Sequence, residues 1–172
     1  DVPFLRPNEL ADDTSTIEDA AFHAIEWLEK ERQYVPEAVM WLLPTAPFRN
    51  PQVLRQAFET LNQPNVDSVI GIKVIYRTLN TLFYGDENME LLPIDENDVV
   101  AHHRQQAKPI YTPNGTVYIT KLETLRKTKS RFTSRMRGII TDQVSGLDID
   151  DKLDLSIAEA VCRANLTWRK IT

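Results

Sequence analysis

One cysteine, Cys162, is the whole thiol content of 172 residues, which excludes an internal disulfide framework and fits a reducing compartment. Glycine is scarce, at five residues, and none of it forms a phosphate-cradling P-loop or a dinucleotide-binding turn. Histidine is limited to three, and adjacent His102 and His103 diverge in helix or strand, so a zinc site is not expected. No Ser-His-Asp arrangement suggests itself. No apolar run approaches the ~18–20 residues of a membrane span. No basic segment with an apolar stretch opens the chain. A cytoplasmic protein with no membrane partner is expected. The net charge of -5 argues against general nucleic-acid binding and leaves room for a local basic pocket. The opening Asp1-Val2-Pro3-Phe4-Leu5-Arg6-Pro7 has no initiator methionine and reads like a protein interior. A fragment is the expectation.

What is present is ordinary for one globular domain, with 42% hydrophobic and 26% charged residues. Residues 13–32 read as a helix with Ser15 and Glu18 at capping-box spacing. Its apolar stripe is Ile17, Ala21, Ala24, Ile25 and Leu28. The apolar run 38–43 predicts a strand buried on both faces. Asn50-Pro51 starts a helix whose Val53, Leu54, Ala57, Phe58 and Leu61 point inward. Residues 68–74 form the next apolar strand. Strand, helix and strand make a βαβ unit, so the sheet is at least partly parallel. The stretch 75–110 is polar and mixed, fitting a hairpin or an excursion from the sheet. Beyond it follow a strand at 115–120, a short helix at 122–127 and a strand at 136–141. A final helix from Asp151 to about Trp168 carries Leu153, Ile157, Val161, Ala164 and Trp168 on one stripe. Cys162 is expected there as a packed core thiol. The whole reads as an α/β, layered domain.

The chain is organised around Gly146-Leu147-Asp148-Ile149-Asp150. In extended backbone, residues two apart point the same way, so Asp148 and Asp150 can face one ion. Mg²⁺ takes oxygen ligands and shares its shell with substrate phosphates. The competing reading makes paired acids before a helix its N-cap and first-turn charges, and Asp150-Asp151 stands just before a helical pattern. Leu43-Pro44-Thr45-Ala46-Pro47-Phe48-Arg49 follows a buried strand, where open sheets place ligands. There Thr45 offers a hydroxyl and Arg49 a cation, or the loop is simply a stiff connector. Arg104-Gln105-Gln106, then Asn114-Gly115 and Tyr118, supply a guanidinium suited to a carboxylate or phosphate. They also supply a turn whose amides can approach a ligand. The bland alternative is a surface cation and a common turn. The basic run Arg126, Lys127, Lys129, Arg131, Arg135 and Arg137 is either a solvated face or an anion-binding one.

Taken in order, these segments resemble the acylneuraminate cytidylyltransferases, the CMP-sialic acid synthetases. The 43–49 loop resembles their Q-P-T-S-P-L-R loop. Arg104-Gln105-Gln106 resembles R-Q-x, and Asn114-Gly115 with Tyr118 resembles N-G-x-x-Y. Leu147-Asp148-Ile149-Asp150-Asp151 resembles the D-I-D signature before the last helix. Val2-Pro3-Phe4-Leu5-Arg6-Pro7 and the acidic-threonine stretch after it match too. The resemblance implies a three-layer α/β fold with a mostly parallel sheet, of the nucleotide-diphospho-sugar transferase type, missing its first strand or strands. It implies transfer of CMP from CTP to an acidic nine-carbon sugar, with pyrophosphate leaving. Asp148 and Asp150 are the implied catalytic and Mg²⁺-holding residues. Arg104, Gln105, Asn114, Tyr118, Thr45, Arg49 and Phe132 are the implied substrate contacts. A homodimer is implied, with the 75–110 region as its excursion.

The chain departs from the family pattern in three ways. The family's basic, glycine-containing loop for the CTP phosphates precedes anything present here, so the 172-residue chain alone is expected to be inactive or nearly so. The family Gln is Leu43 and its Ser is Ala46. Its paired aromatics appear as Arg131-Phe132, and its lysine after the middle strand has no secure match. Two other readings therefore stay open. A glycosyltransferase using the D-x-D motif would need acceptor-binding sequence after Asp150, where only one helix follows. A non-catalytic relative, acting as a binding or oligomerisation module, is consistent with Leu43 and Ala46.

Overall fold

The computed structural model of the protein describes residues 4–75, 79–94 and 109–164. Helix α1 (Ile17–Arg32) leads into strand β1 (Ala38–Trp41), helix α2 (Pro51–Leu61) and strand β2 (Ser68–Ile75). A small hairpin of β3 (Phe83–Gly85) and β4 (Leu91–Pro93) comes next. Then follow the long strand β5 (Ile110–Lys121), α3 (Leu122–Thr128), β6 (Met136–Ile140) and α4 (Lys152–Arg163).

The main sheet runs β1-β5-β2-β6. β5 is antiparallel to both neighbours, and β2 pairs parallel with β6, so three of the four strands point one way. Side chains alternate across the sheet and fill two cores. On one face Ile70, Ile72, Tyr118 and Trp41 meet Ala21 and Ile25 of α1 and Leu122 and Leu125 of α3. On the other, Val69, Val117, Ile119 and Ile139 meet Val53, Ala57 and Leu61 of α2. Helices on both faces make the three layers expected, and each fully buried aliphatic contributes about 1.5–3 kcal/mol. Among the described residues, no helix is long and apolar enough to cross a membrane.

The βαβ expectation needs a correction. β1 and β2 run in the same direction but are not neighbours, because β5 returns between them. With Val117 and Ile119 on one face and Tyr118 on the other, β5 is apolar on both sides and takes a central place that local pattern does not order. The α1 cap also shifts by one residue. Thr16 and Asp19 form the reciprocal capping box, because the Ser15 hydroxyl donates to Asp12 Oδ1 at 2.8 Å and Glu18 pairs with Arg131 at 2.6 Å. Asn50 caps α2 as expected, accepting from the Gln52 N–H at 2.9 Å. Phe58 of α2 points outward rather than inward. It lies beyond the stripe of Val53, Ala57 and Leu61 that covers the sheet.

The last helix shows the largest departure. α4 buries Ala158, while Leu153 and Ile157 of the expected stripe are exposed. Cys162 is exposed as well, so it is not a core thiol. α4 lies against the 43–49 loop through Ala158, beside Phe48 and Pro47, so a narrower face is covered than the apolar pattern offered. Trp168 lies outside the described residues. In the 75–110 region, β3 and β4 pair only with each other.

Candidate active site

The site is built on a break in the sheet register. Ile70 pairs with Tyr118, but Ile72 pairs with Pro113, so residues 114–117 of β5 bulge opposite Gly71. Bulges of this kind re-aim side chains next to functional sites. Gly115 occupies the left-handed region at φ +71°, where side chains are disfavoured. A Cβ on Gly115 would stand 2.6 Å from Asp148 Oδ2. The Asn-Gly turn and the first acid of the D-x-D motif are thus in direct contact.

Asn114 is buried at the centre of this arrangement, with 2% of its surface exposed. Its Nδ2 donates to Thr141 Oγ1 at 2.6 Å, and its Oδ1 accepts from the Thr116 N–H at 3.3 Å. The Thr116 hydroxyl donates to the Ser145 carbonyl at 3.1 Å. Together these bonds tie the bulge to the loop that carries Asp148. The 43–49 loop is tied to the same place, since Ile149 N–H donates to the Thr45 carbonyl at 2.9 Å.

Arg49 is a clamp rather than a free cation. Its Nε donates to the Thr116 carbonyl at 2.5 Å and its Nη2 to the Leu43 carbonyl at 2.6 Å. Burial pulls its guanidinium below the ordinary value, and the neighbouring Asp148 carboxylate opposes that shift. Leu43 packs partly buried against the core, and Ala46 is buried. Both apolar replacements in the loop therefore serve packing.

Asp148 is half-buried, and its Oδ1 has no hydrogen-bond partner. A buried carboxylate oxygen without a donor is costly and suits a hard cation. Asp150 is exposed. Asp148 lines a cleft of about 600 Å³ with Lys73, Thr141, Gln143 and Asp154, and Asp150 is not in that lining. The capping role weighed for Asp150-Asp151 is taken by Asp151, which accepts from the Leu153 and Asp154 N–H groups at 2.7 and 2.9 Å. Asp154 returns a carboxylate oxygen to the Asp150 and Asp151 amides. Metal-type and capping acids stand side by side, and among the described acids here Asp148 alone has a buried oxygen without a partner. Among the described residues, no group of three or more His, Cys, Asp or Glu side chains is placed to hold a metal ion.

Tyr118 and Phe132 form a second group. Their rings meet edge-on at 6.1 Å, and Arg131 lies 5.0 Å from the Tyr118 centroid and 4.8 Å from that of Phe132. Burial raises the Tyr118 phenol pKa, while Arg131 and a Gly115 backbone hydrogen bond work against that, and Asp148 adds to it. Gly115 thus links the two groups. Of the implied substrate contacts, Arg49, Asn114 and Tyr118 are brought to Gly115 and Asp148, Thr45 joins through its backbone carbonyl, and Phe132 touches this group through the Tyr118 ring. Arg104 and Gln105 lie outside the described residues. The basic run is largely paired. Arg126 pairs with Glu29, Lys127 with Glu123, Arg131 with Glu18, and Arg135 with Asp67. Lys73 and Thr141 line the cleft without having been singled out in the sequence. A lysine interrupting an apolar strand was the available signal.

No protein-family model matches the chain. It is similar to a CMP-N,N'-diacetyllegionaminic acid synthase of Legionella pneumophila, at 29% identity over 168 residues, covering 95% of this chain and 70% of that protein. It is also similar to an N-acylneuraminate cytidylyltransferase of Streptococcus agalactiae, at 26% identity, covering 87% of this chain but 35% of the relative. Among solved structures it is similar to a 4-diphosphocytidyl-2C-methyl-D-erythritol synthase of Anaerococcus prevotii, with a TM-score of 0.56 over 87% of this chain and 68% of that one. At 15% identity this last likeness speaks for the fold alone. Similarity over nearly the whole chain, joined to motifs that the fold gathers around one bulge, leads to one conclusion: the chain is similar to the acylneuraminate and related sugar-acid cytidylyltransferases.

Proposed function

We propose that the protein acts in transferring CMP from CTP to the anomeric hydroxyl of an acidic nine-carbon sugar. The sugar oxygen attacks the α-phosphorus, the bond to the β-phosphate oxygen breaks, and pyrophosphate leaves with the electron pair. The observation that carries this reading is the half-buried Asp148, its Oδ1 unpartnered, held against Gly115 where three motifs of the family meet. That oxygen fits Mg²⁺, and Asp150, two residues on at the exposed rim, would complete the protein's share of the shell. Bound there, Mg²⁺ would neutralise charge building on the phosphates.

The remaining roles fall to the chain's own groups. Arg49 and Asn114 hold the 43–49 loop, the bulge and the Asp148 loop in one geometry, so the acid is positioned before substrate arrives. Tyr118 and Phe132 shape the sugar side. Arg104 recognises the sugar carboxylate, with Gln105 beside it. The hairpin exposes Phe83, Tyr84, Met89, Leu91, Leu92 and Ile94. So apolar a projection supports a homodimer in which it is covered. Cytoplasmic placement accords with the lone cysteine.

The test is pyrophosphate release from CTP with acidic nine-carbon sugars, run on this chain and on a longer one that includes upstream coding sequence. Turnover should require Mg²⁺ and fall nearly to zero in Asp148→Asn and Asp150→Asn variants that keep their fold. Absence of release with every acidic sugar, in both forms, refutes the assignment. A second reading, a non-catalytic binding or oligomerisation module, is favoured by Leu43 and Ala46 in the packed loop. It predicts substrate binding or dimer formation with no release.

A further inference from the structure

Lys73 breaks an apolar strand. The five residues of β2 before it are all buried, while Lys73 itself is exposed. It stands near the carboxyl end of β2 beside parallel β6, the end at which open sheets hold ligands. It also lines the cleft that contains Asp148.

The charges around that cleft are unequally engaged. Among the described residues its lining has one cation, Lys73, and three carboxylates, Asp142, Asp148 and Asp154. Asp142 Oδ1 accepts from the Val144 and Ser145 amides, both at 2.9 Å. Asp154 Oδ2 accepts from the Asp150 and Asp151 amides at 3.0 and 3.2 Å. Asp148 Oδ1 has no donor. Arg49, the other cation near Asp148, donates to two carbonyls. Lys73 has no ion pair or hydrogen bond among the described residues. One free acid and one free ammonium therefore line the same cleft.

We propose that Lys73 is a substrate-positioning residue that binds a substrate oxyanion in the cleft it shares with Asp148, and that this binding depends on a divalent cation. Among the described lining residues, three carboxylates against one ammonium leave an excess of two negative charges, a field that opposes an anion. A divalent cation at Asp148 cancels it. The inference rests on the reading above. A lysine is a compact point charge without the planar fork of arginine, so it accommodates phosphate oxygens of CTP or pyrophosphate as well as a sugar carboxylate. The assay separates these sources.

Titration calorimetry of the full chain with inorganic pyrophosphate, and separately with N-acetylneuraminic acid, is run with Mg²⁺ and with none. At least one probe should bind the wild type in Mg²⁺. Lys73→Met should weaken that binding about 10- to 100-fold, the scale of a charge-assisted hydrogen bond, and omitting Mg²⁺ should weaken it at least as much. Lys73→Arg should stay within about threefold of wild type, since the charge is retained. The responding probe identifies the anion as phosphate or carboxylate. Lys73→Gln, polar but uncharged, carries the same expectation should the methionine variant lose its fold. Wild-type affinity in a folded Met or Gln variant overturns the proposal, as does failure of both probes to bind the wild type. Pyrophosphate release tests the parent reading separately. Turnover with unchanged KM values in Lys73→Met overturns the Lys73 role alone, and Lys73-dependent binding without turnover in both this chain and the longer one overturns the transferase reading alone.

Discussion

Gly115→Ala should destabilise the protein through two separable effects. The first is local backbone. At φ +71° residue 115 sits where an L side chain costs about 1–2 kcal/mol. The second is contact with the acid. A methyl carbon there would stand 2.6 Å from Asp148 Oδ2 and 3.0 Å from its Cγ, whereas ordinary contact begins at 3.4 Å. The carboxylate must turn to make room, at about 0.5–1.5 kcal/mol for leaving its rotamer. The two effects sum to roughly 1.5–3.5 kcal/mol, or about 3–14 °C in Tm for a chain of this size. Urea denaturation of wild type, Gly115→Ala, Asp148→Ala and the double variant separates them. The backbone part should persist when Asp148 is absent, and the contact part should vanish. Manganese titration should show Gly115→Ala weakened in metal affinity, because the displaced carboxylate no longer presents Oδ1 as before. A Gly115→Ala cost within about 0.3 kcal/mol of zero, or one identical with and without Asp148, refutes the contact reasoning.

Four other outcomes follow from the same geometry. Arg49→Met leaves the carbonyls of Leu43 and Thr116 without their donor and should cost about 2–4 kcal/mol by denaturant titration, with Arg49→Lys recovering only part because one ammonium replaces a planar fork. Asn114→Ala removes the partner of the Thr141 hydroxyl in a buried network and should cost about 1–3 kcal/mol while lowering metal affinity. The Arg135 guanidinium, bonded to both oxygens of Asp67 at 2.7 and 2.8 Å, holds that carboxyl below its ordinary 3.8. Its stabilising contribution is therefore complete above the unfolded value of 3.8 and is lost as pH falls through the lower folded one. The Tm gap between wild type and Asp67→Asn should be flat at neutral pH and close in acid; a gap that widens in acid contradicts this. Where the proposed homodimer buries the hairpin, Leu92→Arg on the exposed β4 should shift the sedimenting species toward monomer without changing the circular dichroism spectrum; a sedimentation profile equal to wild type contradicts that reading.

Much of the site was legible because its parts are local signals. Asn50-Pro51 announces a helix start, and the structure places the cap there. Asn114-Gly115 reads as a turn, but it lies inside β5 at the register break, where Gly115 takes the positive φ. The apolar run 68–74 read as a strand and β2 is buried through Ile72, whereas the run 38–43, expected to be buried on both faces, is the edge strand β1 with only Trp41 buried. Less legible were facts that depend on which neighbour wins. Ser15 has the right spacing for a cap, but Asp12 takes its hydroxyl. Arg49 has the right charge for a ligand, but two carbonyls take its N–H groups.

By itself, the order of residues determined where helices and strands form, how two apolar faces alternate, and which motifs make up the family signature, since periodicity and capping act over a few residues. Tertiary structure decided the rest. It set β5 between β1 and β2, turned Phe58 and Cys162 outward, and left half-buried Asp148, beside exposed Asp150, with a buried oxygen that has no partner. The reason is that a side chain's availability depends on competing donors and on packing area, both supplied by segments distant in sequence.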